Sequence, residues 1–277
     1  MSLMRAELIL SHFRVSEVLT ERKKKMKKFL AIIPARYAST RFPGKPLALL
    51  GGKPIVQRVY ERVNRVFEHT IVATDDQRIF DCVEQFGGKA VMTSTNHKSG
   101  TDRCFEALNK SGVEADVVVN VQGDEPFIAA SQLETIKRCF EDENTDIATL
   151  VQPFAPSDGI GALRNPNSPK VVVGANDYAL YFSRSVIPYL RGVEPSEWLN
   201  HHTFYKHIGL YAYRVPALEK ITSMPQGVLE KAESLEQLRW LEAGLRIKVG
   251  YTDVKTIGID TPHDLELAQL ALRMNLE

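Results

Sequence analysis

The stretch "FLAIIPARYASTRFPGKP", residues 29–46, joins two unlike kinds of sequence. Its first seven residues are apolar throughout, without the alternation of a strand that keeps one face in water. Runs of this kind are strands buried on both faces, as in a parallel sheet covered by helices. The second half abandons the pattern. Arg36, Arg41 and Lys45 fall at spacings of five and four, beside Pro34, Pro43 and Pro46. Ligands of parallel α/β sheets bind at the carboxyl ends of the strands. A proline-stiffened cationic loop straight after a buried strand therefore aims its charge at the expected crevice.

The same rhythm runs on along the chain. Thr70–Asp75, Ala90–Thr93, Val117–Val121 and Asp146–Val151 read as further strands. Between them, Pro54–Phe67 carries Ile55, Val56, Val59, Val63, Val66 and Phe67 on one helical face, with Pro54 at its start. Gln77–Phe86, Asp102–Leu108 and Ser131–Phe140 continue the alternation, the last with a capping box of Ser131 and Glu134. Strand–helix alternation at this pitch predicts an α/β fold with a doubly wound, mostly parallel sheet. Beyond about residue 155 the rhythm changes. "KVVVGANDYALYFSR" (170–184) and "HIGLYAYRV" (207–215), joined through a loop at Gly192–Thr203, predict an inserted β-layer. A helix over Glu230–Ala243 follows, then strands at Ile247–Tyr251 and Thr256–Asp260, then a helix capped by Thr261 with Pro262 at its first position. Residues 29–277 thus read as one domain behind a basic tail, residues 1–28.

Composition narrows the function classes. The chain has 277 residues, 44% hydrophobic and 25% charged, enough for a sizeable core. No apolar run reaches the ~18 residues of a membrane span, so no membrane partner is expected. Cys82, Cys104 and Cys139 lie far apart with no CxxC, as small buried residues of a reduced cytoplasm do. The net charge of +1 hides a split: residues 1–28 hold eight Lys/Arg against three Glu, which leaves the remainder at −4. A mildly acidic body is a poor polyanion binder, so nucleic acid is not an expected partner. Any anionic ligand must be held by local cations or by metal ions.

Two familiar phosphate loops are excluded. A Walker A loop would need glycine at Ser39 and Ser or Thr at Pro46, and no GxGxxG occurs. What remains is a side-chain clamp in which forked guanidiniums and a lysine hold phosphate oxygens. In "VNVQGDEP", residues 119–126, an apolar strand ends in Gln122, Gly123 and Asp124; "IGIDTP", residues 257–262, ends another in Asp260. A lone Asp at a strand end is usually a turn or a cap. Two of them opposite a cationic loop are what a Mg²⁺–polyphosphate site requires, since Mg²⁺ takes one or two carboxylates plus substrate oxygens. "HKSGTDR", residues 97–103, adds a small-residue loop and helix start that lets backbone groups approach a flat base.

These motifs, with "YALYFSRSVIP", "HIGLYAYR", "LEQLR" and "GIDTPHDL", stand in an order that resembles the 3-deoxy-manno-octulosonate (Kdo) cytidylyltransferase family from about Lys27 to the end. The resemblance implies a nucleotide-diphospho-sugar transferase-like fold and transfer of CMP from CTP to Kdo, with release of diphosphate, for lipopolysaccharide assembly in the cytoplasm. It implies that Arg36, Arg41 and Lys45 bind the triphosphate and that Ser99, Gly100 and Thr101 face the cytosine of CTP. Asp124 and Asp260 would hold Mg²⁺ and, with Arg36 and Lys45, form the catalytic set. Gln122, Arg184, His207, Tyr211, Glu236 and Gln237 would bind Kdo. By spacing alone, His207 and Tyr211 are same-face strand neighbours, and Glu236 and Gln237 a solvated helix surface.

Phosphoryl-type transfer is mostly positioning and charge stabilisation, so no Cys or Ser nucleophile is needed. A sister cytidylyltransferase for a sialic acid or an 8-amino Kdo analogue shares the loop and the aspartates. A sugar-nucleotide glycosyltransferase would carry DxD where this chain has "GDEP". The resemblance also implies a homodimer, for which Val171–Phe182 and Ile208–Tyr213 are the expected interface strands.

Overall fold

In the computed structural model of the chain, residues 27–274 are described apart from 98 and 256. The basic tail expected over 1–28 thus lies almost wholly outside the described residues. Its last two members are tied to the body. Lys27 pairs with Glu143 at 2.7 Å, and the Lys28 main-chain N–H donates to Asp116 Oδ2 at 2.8 Å.

The apolar opening run forms β1 (Phe29–Ala35) with the expected bounds. Leu30 and Ile32 point into one hydrophobic layer, Ala31 and Ile33 into the other, which is why the run contains no polar position. A two-stranded hairpin, β2 (Leu49–Leu50) and β3 (Lys53–Pro54), leads into α1 (Ile55–Asn64). Then come β4 (His69–Thr74), α2 (Gln77–Gln85), β5 (Ala90–Met92), α3 (Gly100–Ser111), β6 (Val117–Asn120), α4 (Ala130–Cys139) and β7 (Ile147–Pro153). The N-cap of helix α4 lies two residues before the expected Ser131: it is Ala129, whose N–H donates to the Gln132 side chain at 3.1 Å. Strand β1 lies parallel between β4 and β6, with Ala35 opposite Thr74 and Ile32 opposite Asn120.

The expected inserted β-layer is continuous with the main sheet. After α5 (Gly159–Arg164), β8 (Lys170–Val173) and β9 (Ala179–Ser183) form an antiparallel hairpin. Past the short α6 (Trp198–His201), β10 (Tyr205–Arg214) runs antiparallel between β6 and β7 in the middle of the main sheet. Only its first two residues pair with β8, so the inserted hairpin grows out of the sheet itself. Of the strands expected to face a second subunit, Ile208–Tyr213 is consequently enclosed, with Leu210, Ala212 and Tyr213 buried, while Leu180 on β9 is 62% exposed.

Helix α7 (Val215–Thr222) follows. The single helix expected over Glu230–Ala243 is two, α8 (Val228–Glu233) and α9 (Gln237–Glu242). Ser234, at φ 51, takes the left-handed conformation and breaks them. Strand β11 (Ile247–Tyr251) completes the sheet order β11-β7-β10-β6-β1-β4-β5, in which β10 alone runs against the rest. The strand expected at Thr256–Asp260 is instead an irregular segment, with Thr256 outside the described residues. Helix α10 (Pro262–Arg273) starts as expected, Thr261 accepting from the Asp264 N–H at 3.2 Å. Helices α1, α2, α4 and α10 cover one face of the sheet and α3, α7 and α9 the other. The three cysteines are free, and burial pushes the Cys139 thiol up to about 11. No helix among the described residues is long and apolar enough to cross a membrane.

Candidate active site

Adjacent parallel strands β1 and β6 end side by side, which brings the cationic loop against "QGDEP". The loop is stiffened from within. Gly44 takes φ +70, which L side chains rarely adopt, and its N–H donates to Tyr37 O at 2.9 Å. Arg78 lies 3.4 Å over the Tyr37 ring, and Pro46 fixes the short 3₁₀ turn that carries Lys45. On the β6 side, Gly123 passes so close to β1 that a Cβ would sit 2.7 Å from the Pro34 carbonyl oxygen. That approach joins the two loops into one wall.

Asp124 and Asp260, 136 positions apart in sequence, meet there. The Ile259 N–H donates to the Asp124 carbonyl at 2.9 Å, so one backbone hydrogen bond does what the expected strand would have done. The Lys45 ammonium stands between the two carboxylates, 2.7 Å from Asp124 Oδ2 and 3.3 Å from Asp260 Oδ1. Arg41 forks onto Asp260 at 3.1 and 2.9 Å. Arg36 lines the same cleft with an exposed guanidinium and no ion pair among the described residues. Gln122, Ser99 and Gly100 line it too. Ser99 also caps α3, accepting from the Asp102 N–H at 3.1 Å. Glu125, half-buried beside this pair, is pushed up to about 7 by burial and by the neighbouring Asp124.

Thr101 behaves differently from its neighbours. It is 3% exposed, and its hydroxyl turns away from the cleft to donate to Glu236 Oε2 at 3.1 Å. Glu236 opens the second cluster. Its other oxygen accepts from Arg239 at 2.8 Å, and burial raises its carboxyl, partly offset by Arg239 and Thr101. Gln237 is buried beside it, with Nε2 lacking a hydrogen-bond partner among the described residues. Tyr211 packs edge-on against Trp240 at 5.0 Å and tilts against His207 at 5.2 Å. His207 Nε2 meets the Thr149 hydroxyl at 3.0 Å. Arg184 sits at the rim of this cluster with its donors committed to main-chain carbonyls: Glu233 at 2.6 Å, Pro166 at 2.8 Å and Ser234 at 3.3 Å. It clasps the α8–α9 turn to the end of β9 instead of presenting an open fork.

Burial holds the His207 imidazole down to about 4, so the ring is neutral near pH 7. A histidine in the unfolded chain titrates near about 6.5. Between those values the unfolded state binds the additional proton, and stability falls as the pH drops from about 6.5 to about 4. His207→Gln is therefore expected to lose melting temperature less steeply than the wild type between pH 7 and pH 5. Parallel slopes would contradict a ring held neutral by its surroundings.

Several residues at the site escaped the sequence reading. Arg103 is 4% exposed, donating to Asp75 at 2.7 Å and Thr93 at 2.6 Å beneath the nucleotide-side loop. His97 pairs with Glu106, whose carboxyl falls to about 2 as Lys110, the Ser94 N–H and His97 outweigh its burial. Arg239 and Thr149 support Glu236 and His207. Arg103 and Arg239 do lie inside "SGTDR" and "LEQLR", and the i, i+3 spacing of Glu236 and Arg239 is the signal that finds that pair.

A family model described as Cytidylyltransferase matches residues 30–247. The 3-deoxy-manno-octulosonate cytidylyltransferase of Phocaeicola vulgatus is 66% identical over 246 residues, covering 89% of this chain and 98% of that protein. Its namesake from Thermodesulfovibrio yellowstonii is 48% identical over 251 residues, with coverage of 88% and 97%. The solved structure of CMP:2-keto-3-deoxy-manno-octonic acid synthetase complexed with CTP superposes with a TM-score of 0.82 at 42% identity, covering 90% of this chain and 99% of its own. The 4-diphosphocytidyl-2C-methyl-D-erythritol synthase of Anaerococcus prevotii, at 15% identity and a TM-score of 0.57 with 89% of this chain covered and 99% of its own, shares the fold alone. On the strength of this family match and these relatives, the chain belongs to the 3-deoxy-manno-octulosonate cytidylyltransferase family.

Proposed function

We propose that the protein transfers CMP from CTP to Kdo, forming CMP-Kdo and diphosphate for lipopolysaccharide biosynthesis, and that it does so in the cytoplasm. The observation that carries this reading is the single Lys45 ammonium bridging Asp124 and Asp260 beneath a stiffened cationic loop. It stands beside a second, largely buried cluster suited to a polyol. The relatives named for this reaction, one solved with CTP bound, support it.

In this reading Arg36, Arg41 and Lys45 hold the triphosphate, while Ser99 and Gly100 at the start of α3 face the cytosine. The anomeric hydroxyl of Kdo attacks the α-phosphorus in line; a phosphorus–oxygen bond forms as the bond to diphosphate breaks, and the hydroxyl proton passes to solvent. The loop cations take up charge on the leaving diphosphate. Gln122, His207, Tyr211, Glu236 and Gln237 orient the sugar, with His207 acting as a neutral hydrogen-bonding group. Mg²⁺ is the expected cofactor. Two carboxylates brought onto one ammonium are the donor set that ion takes alongside substrate oxygens, so Asp124 and Asp260 would hold it. When bound, it neutralises phosphate charge and acidifies a coordinated oxygen. With Asp124 and Asp260 holding that ion, the Lys45 ammonium would be left to face the phosphates.

A homodimer is proposed on the edge strand β9 and its neighbourhood, where Leu180 and Tyr189 are exposed at 62% and 73%. Arg184 acts on the sugar through the turn it clasps. Arg184→Lys keeps the charge but spans fewer carbonyls. It should raise the Kdo KM by about tenfold, the scale of a lost charge-assisted hydrogen bond, with the CTP KM nearly constant. A shift in the CTP KM with the Kdo KM unmoved would assign Arg184 to the nucleotide instead.

The reading is tested by incubating the protein with CTP, Mg²⁺ and Kdo and measuring diphosphate. One diphosphate per Kdo consumed is the expected result. Release with a sialic acid or 8-amino-Kdo and none with Kdo would move the assignment to a sister enzyme. Release independent of any sugar would overturn transfer altogether.

A further inference from the structure

The nucleotide-side helix and the sugar-side cluster are joined by a direct chain of side-chain hydrogen bonds. Gly100 and Thr101 are the first two residues of α3, whose N-terminal end lines the nucleotide cleft through Ser99 and Gly100. A Cβ added at Gly100 would stand in ordinary contact with Asn120 and Pro34, so the helix start lies beside the ends of β1 and β6. One residue on, the Thr101 hydroxyl reverses direction. It donates to Glu236 Oε2 at 3.1 Å and lies 3.5 Å from Tyr213 Oη, which can donate to it in turn. The far oxygen of Glu236 is held by Arg239 at 2.8 Å, and Arg239 also donates to the Met224 carbonyl at 3.0 Å and faces Glu230 at 3.4 Å.

Both ends of the Glu236 carboxylate are thus fixed, one by a fold-anchored arginine and the other by the helix that meets the nucleotide. Thr101 and Tyr213 are buried, so water does not compete for that second bond. A small shift of the α3 start on nucleotide binding would reorient Glu236 about its Arg239 anchor. We infer that Thr101 is a positioning residue that couples the two subsites, so that an occupied nucleotide site sets Glu236 for the sugar. This rests on the assignment of CTP and Kdo as substrates. Coupling of this kind is reciprocal: the sugar must tighten the nucleotide by the same factor.

The test is calorimetric titration of Kdo into the protein with Mg²⁺, in the absence and presence of a CTP analogue whose α,β-bridging oxygen is replaced by methylene. In the wild type the analogue should tighten Kdo by a factor of about 5–150, the usual range for coupled sites. In Thr101→Val, which keeps the shape and loses the hydroxyl, the factor should fall to near one. Thr101→Ser should restore the coupling, which a merely structural defect would not allow. A valine variant with wild-type coupling would overturn the inference. So would a wild type that releases diphosphate normally yet binds Kdo equally with and without the analogue. A wild type that releases no diphosphate from CTP and Kdo would count against the substrate assignment instead, so the two failures are told apart.

Discussion

Asp124→Asn and Asp260→Asn are each expected to lower kcat by about 10²–10³, the usual cost of removing one electrostatic stabiliser of a transition state. Both carboxylates approach the same ammonium, and both would hold the same ion. Asparagine keeps the shape and removes one anionic ligand. CTP can still bind through Arg36, Arg41 and Lys45, so its affinity should fall only modestly. Charge builds on the α-phosphate as diphosphate leaves, so the loss should appear in turnover. The double variant should be little worse than either single one, because residues acting as a unit are strongly non-additive. Turnover and CTP binding measured on all three at saturating Mg²⁺ decide the matter. Near-wild-type turnover in Asp260→Asn would reduce that residue to the start of α10.

Lys45→Met should be as damaging, for a reason that gives a second readout. The Lys45 side chain is 13% exposed, against 64% for Arg41, which reaches Asp260 alone. Removing it takes a charge from the triphosphate site, and kcat/KM for CTP should fall by about 10²–10³. It also leaves two neighbouring carboxylates that, among the described residues, only Arg41 on Asp260 still pairs with. Mg²⁺ should therefore raise the melting temperature of the variant more than that of the wild type, where the ion must first displace the ammonium. Equal Mg²⁺ stabilisation of the two proteins would mean that Lys45 and the metal do not compete for the aspartates.

The parts of the fold legible in sequence are those where one local pattern had one outcome. Phe29–Ala35 is apolar at every position because both of its faces are covered, and its bounds follow. Thr261, Pro262 and Asp264 start α10 by cap chemistry that needs no tertiary partner. The misread parts depend on distant contacts. Strand β10 reads as a peripheral strand because its polar and aromatic alternation says nothing of lying between β6 and β7. The break at Ser234 carries no glycine; the clasp of Arg184 on the Glu233 and Ser234 carbonyls holds the turn. At the site, cations and aspartates stood out because strand ends rarely carry them together. Arg103, Thr149 and Arg239 did not, since a buried residue whose partner lies elsewhere in the chain looks like an ordinary polar one.

The most direct test of the central claim, that Asp124 and Asp260 jointly carry the metal at the nucleotide, is anomalous scattering from crystals grown with CTP and Mn²⁺. The expected result is a manganese peak liganded by both carboxylates, with the Lys45 ammonium moved off them onto the phosphates. A nucleotide-bound structure in which Lys45 still bridges the two aspartates, with manganese bound elsewhere, would contradict it.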